Sequence, residues 1–133
     1  MQLRFFLAFT PMVFLPQAHA VDCNNAQDQA TMNQCAAQQN RAADKELNSL
    51  YQHIAGRLKG SPDSKKALIT AQRTWIAFRD AECSFSASAV KGGSVYPLVY
   101  SNCLTDLTKS RVETFKTYLK CQEGDLSCPV PGA

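Results

Sequence analysis

The stretch AQRTWIAFRDAEC, residues 71 to 83, sets an arginine and two carboxylates among a tryptophan, a phenylalanine and a cysteine. Read at about 100° per residue, it puts Leu68, Gln72, Trp75, Arg79, Glu82, Cys83 and Ser86 on one helical stripe. Ile69 and Ile76 run along one flank of that stripe, and Phe78 and Phe85 along the other. Arg79 therefore points inward, while Asp80 sits well round the helix beside Arg73, toward solvent. An inward guanidinium is costly unless a carboxylate and further acceptors meet it. What the stretch does thus depends on what the flanking segments bring to Arg79.

Upstream, from about residue 25 to residue 59, Met32, Ala36, Ala43, Leu47, Leu50, Tyr51, Ile54 and Leu58 share one helical face against a background of Gln, Asn, Lys and Arg. Gly60-Ser61-Pro62 stops this first helix and starts the second, with Ser61 as the expected N-cap, Pro62 at the first helical position and Asp63 favouring the dipole. So short a turn predicts antiparallel neighbours, a long helical hairpin. The second helix is expected to run to about Ala89, where Lys91-Gly92-Gly93-Ser94 breaks it and a loop continues through Pro97 to Tyr100. A third helix from about Asn102 to Cys121 places Cys103, Leu107, Arg111, Thr114, Phe115 and Tyr118 on its inner arc. The turn-rich tail from residue 122 to residue 133 is expected to fray beyond Cys128. The fold class read from these periods is all-α, a small bundle of about three helices: a long antiparallel hairpin and a third helix.

The first twenty residues, MQLRFFLAFTPMVFLPQAHA, carry Arg4, an apolar run from Phe5 to Leu15 and the small-x-small ending Ala18-His19-Ala20, which is the pattern of a signal peptide cleaved after Ala20. The run is too short to span a bilayer, and Ala20-Val21-Asp22 before Cys23 does not suit a lipid-attachment site. The expected product is periplasmic or secreted, without a lipid anchor or membrane insertion. Its 113 residues make one domain, with 13 basic and 11 acidic side chains. That balance is too weak and too dispersed for nucleic acid or an anionic membrane. Six cysteines in an exported chain read as disulfides that staple the bundle. Six allow fifteen pairings; the short-range set, Cys23 with Cys35, Cys83 with Cys103 and Cys121 with Cys128, is the simplest. No metal or other cofactor is expected, since there is no C-x-x-C and His53 is the only histidine after the signal segment.

Two helices carry an arginine on a face that ought to be apolar, Arg79 and Arg111. The partners expected for them are Glu82, one turn from Arg79, and Asp44, at the edge of the first helix's inner face. The plainer reading is a buried ionic network of Arg79, Glu82, Arg111 and Asp44 packed under Trp75; the functional one is a recessed pocket where Arg79 or Arg111 meets an anion. Catalysis is not expected. Asp80 and Glu82 diverge by about 160° round a helix, so they are not a glycosidase pair. His53 lies off the inner face and gives no base for a hydrolase, and Gly92-Gly93-Ser94 lacks the spacing and lysine of a phosphate loop.

Asp22-Cys23, Met32-Asn33-Gln34-Cys35, Ala43-Asp44 with Leu47-Asn48 and Tyr51, Ala71-Gln72-Arg73 with Trp75, Phe78-Arg79 and Cys83, then Gly92-Gly93-Ser94, Cys103 and Arg111 together form a pattern over residues 21 to 121. It resembles the LprI-like N-terminal domain family of small secreted bacterial proteins, whose named member is a lysozyme inhibitor. The resemblance implies a disulfide-bonded helical domain, pairs Cys23 with Cys35 and Cys83 with Cys103, and leaves Cys121 with Cys128 resting on proximity. The namesake is a lipoprotein, from which this chain departs. A non-enzymatic, exported inhibitor of lysozyme or another cell-wall hydrolase is the function it implies. The loop Gly92, Gly93, Ser94, Tyr96 and Tyr100 is the candidate contact surface, since an exposed loop with aromatic anchors suits a glycosidase cleft. The alternatives are a periplasmic binding module for an anionic ligand, or an envelope or stress protein without a discrete site.

Overall fold

The computed structural model describes residues 20–132; apart from Ala20, the expected signal segment lies outside them. Three helices carry the chain, α1 (Gln29–Arg57), α2 (Pro62–Ser86) and α3 (Tyr96–Leu119), with single 3-10 turns at Cys23–Asn25 and Ser88–Val90. The described residues contain no strand, and the all-α reading holds.

Local chemistry explains where each helix starts. Asp28 caps α1: its carboxylate accepts from the Thr31 amide at 2.8 Å and from the Thr31 hydroxyl at 2.6 Å. The helix therefore begins four residues later than its apolar period suggests, after a 3-10 turn in which Asp22 accepts from the Asn24 amide. Ser61 does precede α2, yet its hydroxyl makes no capping bond. Pro62 at the first position and Asp63 in the first turn carry that start instead. The larger correction concerns α3, which begins at Tyr96 and not near Asn102. Pro97 falls in the first turn, where a missing N–H costs nothing, so the proline that reads as part of a loop is helical.

The tightest packing joins α1 to α3 along their lengths; α2 lies against α3 and makes few close backbone approaches to α1. The turn at Gly60 thus links α1 and α2 in sequence more than it pairs them. Leu47, Ile54 and Leu58 meet Val112, Phe115 and Val130 in the core, with Tyr51, Leu68, Trp75 and Tyr118 packed around it. Val130 overturns the expectation of a frayed tail, being only 2% exposed. The chain is turned back there by the Cys121–Cys128 disulfide, whose Cα atoms are 5.6 Å apart, and an apolar side chain brought beside an open core edge is driven into it. The buried face of α3 is Thr105, Thr108, Val112 and Phe115, one step round from the arc that the larger side chains suggest. Thr105 meets its hydroxyl's need locally, donating to the Ser101 carbonyl at 2.8 Å.

Candidate functional site

Arg79 and Arg111 occupy the inner side of the bundle in different ways. The Arg79 side chain, 12% exposed, donates from Nη1 to Asp44 Oδ1 and from Nε to Asp80 Oδ1, each at 2.9 Å. It also donates to the Thr108 hydroxyl at 3.3 Å and lies 5.2 Å from the centre of the Trp75 ring. Glu82 is exposed and is not among its partners. Asp80 takes that place, although it lies about 100° round the helix, because the long arginine side chain can lie back along its own helix surface. Both acids are partly open to water, at 39% and 47%. The arrangement is a brace between α1, α2 and α3 at the bundle surface, not a buried ionic network.

Arg111 stands apart from that brace. Its Nε donates to the amide oxygen of the buried Gln72 at 3.2 Å, and its guanidinium lies 4.6 Å from the Phe115 ring centre and 5.8 Å from that of Trp75. Among the described residues no carboxylate lies within salt-bridge distance. Burial of this uncompensated cation pulls its pKa below the ordinary arginine value. The four residues expected in one network thus fall into a brace, an exposed glutamate and a separate cation.

At the other end of the bundle the chain passes from α2 to α3 through a short corner. Gly92 takes φ +84°, a left-handed conformation that glycine adopts without strain, and the Gly93 amide donates to the Val90 carbonyl at 3.0 Å. Two ties hold this corner. Cys83 and Cys103, 5.5 Å apart at Cα, clamp its two helices together, and the Asn33 side chain of α1 donates to the Ser94 carbonyl at 2.9 Å. Cys23 is joined to Cys35 near the start of α1 at the same end. Gly92, Gly93 and Ser94 are exposed. Tyr96 and Tyr100 are not loop residues: four apart on the first turns of α3, they stack on one another at 5.7 Å and are half-buried.

The aromatic surface near the corner belongs to α2 instead. Phe78 and Phe85, seven residues apart and therefore on one helical face, are 54% and 75% exposed. Their flank position off the inner stripe was the available signal, since a large apolar residue outside the buried arc has no core to enter. Among the described residues no group of acids, histidines and cysteines could hold a metal ion, and no helix is long and apolar enough to cross a membrane.

Comparison with known proteins follows this geometry. The model of the family described as lysozyme inhibitor LprI matches residues 22–115, which takes in both corner disulfides, the brace and Arg111, and stops before the tail. An uncharacterized protein of Rhizobium meliloti (strain 1021) is 35% identical over 113 residues, spanning 77% of this chain and 81% of its own length. The crystal structure of a DUF1311 family protein from Pseudomonas putida KT2440 superposes with a TM-score of 0.62 at 24% identity, over 68% of this chain and 92% of that one, and so shares the fold. On the extent of the family match and the identity to this relative, the chain belongs to the LprI family.

Proposed function

We propose that this is an exported, non-enzymatic binding protein that inhibits a lysozyme or related cell-wall hydrolase, and that it does so with the α2–α3 corner. Family membership supports inhibition, and one structural observation supports the corner: an exposed glycine-rich turn held from both sides by Cys83–Cys103 and by Asn33, with exposed Phe85 two residues from the disulfide. A glycosidase cleft holds two carboxyl groups about 5 to 10 Å apart. Blocking it calls for a narrow, pre-shaped projection that loses little freedom on binding, and a clamped turn meets that need. Phe85 supplies the apolar anchor, and the exposed ammonium of Lys91 supplies a charge opposite to the cleft acids.

The test is cell-wall lysis by purified lysozymes of several classes, with the oxidised mature protein, a reduced and alkylated control, and Phe85→Ser. Protection by the oxidised protein alone, lost about tenfold or more in Phe85→Ser as expected of an anchor residue, is the predicted result. Undiminished protection by Phe85→Ser would move the contact elsewhere on the bundle. A folded, oxidised protein that protects against no class would remove the inhibitor reading.

A further inference from the structure

The tail end of the bundle contains a recess of about 270 Å³ between the end of α1, the first half of α2, the end of α3 and the returning tail. Its walls are Ile54, Leu58, Leu68, Ala71, Tyr118 and Val130, and Arg111 also lines it. Ile54, Leu58 and Val130 are 2% exposed or less, so the floor is part of the packed core and does not need to form on binding. Arg111 is its one charged lining residue. Nε is committed to Gln72, and the rings of Phe115 and Trp75 flank the guanidinium. The terminal nitrogens have no acceptor among the described residues.

This combination selects a ligand class. Apolar walls require an acyl or aryl body, because a polar one would lose its hydration without replacement. The lone guanidinium requires an anion, and its planar fork matches a carboxylate through two parallel N–H donors. A phosphate dianion would meet only half of its charge here, since no lysine joins Arg111 among the lining residues and the first turn of α2 contributes only the neutral Ser64. The volume lies at the small end of ligand pockets, enough for a medium-length chain or an aromatic acid and too little for a whole lipid.

We propose that this recess binds a small amphipathic carboxylate, with the terminal nitrogens of Arg111 donating to the carboxylate and Leu58, Leu68, Tyr118 and Val130 enclosing the chain. Arg79 does not serve, because it is not among the lining residues and Asp44 and Asp80 already meet its charge. The site lies about 30 Å from the corner, counting the helical rise from Asn33 to Ile54. It therefore stands or falls apart from the inhibitor reading.

Calorimetric titration of the oxidised mature protein with octanoate, 1-octanol and octyltrimethylammonium tests it, since the three share a chain and differ in headgroup. Octanoate is expected to bind about tenfold or more tightly than octanol, and the cation not at all. Arg111→Met should bring octanoate down to the octanol level, and Ala71→Leu, which fills the recess from its exposed α2 wall, should weaken both. Equal affinity for octanoate and octanol in the unaltered chain would overturn the proposal, as would no octanoate binding at millimolar concentration. Those readouts do not depend on the Arg111 variant folding. Amide shifts on octanoate addition should centre on Leu68 and Tyr118; shifts confined to Phe85 and the corner would also refute it.

Discussion

Where α1 and α3 finish, side chains as large as Leu47, Ile54, Leu58, Val112 and Phe115 close over a shared core, and the tail adds Val130 to it. Toward the corner the buried set shrinks to Cys35, Ala36, Cys83, Ala87 and Thr105, with no large aliphatic or aromatic side chain among the fully buried ones. Two disulfides sit at this thin end, and only the short Cys121–Cys128 link at the thick one. The difference shows how a short disulfide-bonded chain apportions its means of support. Three helices provide enough apolar surface to make a dry core at one end, and covalent staples replace it at the other, as they do in small secreted domains generally. The end held by staples can then leave its apolar side chains, Phe78 and Phe85, on the outside.

The strongest way to break this contrast is at its thick end. Phe115 is fully buried and touches the rings of Tyr51 and Tyr118 and the Arg111 guanidinium, so Phe115→Ala should cost about 3 to 5 kcal/mol. Urea denaturation of the oxidised protein measures it, and a cost below about 1 kcal/mol would mean that the core does not hold that end.

The thin end should respond to a covalent change instead. Replacing both Cys83 and Cys103 by serine should cost about 3 kcal/mol, the chain-entropy value for a loop of this length. The sharper readout is hydrogen exchange. Amides in the first turns of α3 should lose protection while those around Val112 and Phe115 keep theirs, and uniform loss across all three helices would show that the ends unfold as one unit.

The smallest effect concerns the α1 cap. The Thr31 hydroxyl, and then its amide, hold the Asp28 carboxyl below its ordinary value of 3.8. A folded pKa lower than the unfolded one stabilises the native state above the unfolded value, and that contribution disappears as the pH falls through the lower folded value. Asp28→Asn keeps an acceptor without the titration, so its melting temperature should fall less steeply than the parent's as the pH drops below about 3.8. Parallel acid limbs in the two proteins would show that the cap charge contributes nothing.

Several features were legible because they depend only on local order along the chain. The inner stripe through Trp75 and Arg79, the break at Gly60-Ser61-Pro62 and the exposed His53 all follow from helical phase and turn chemistry. The start of α3 is not legible because Pro97 is compatible with both a loop and a first helical turn, and only the helix around it decides between them. The threonines at 105 and 108 are not legible because the larger side chains of α3 point to a neighbouring arc, and only packing shows that a carbonyl of the same helix and the Arg79 guanidinium satisfy the two hydroxyls inside.

By itself the sequence determined three helices, the inner faces of the first two, and the presence of two arginines that needed partners. Tertiary structure decided which partners they found: Asp44 and Asp80 for Arg79, and no carboxylate among the described residues for Arg111. It also decided that Val130, a tail residue with no period to announce it, closes the core. Helical phase is a property of neighbours within about four positions, while ion pairing and burial depend on distances between segments that only packing brings together.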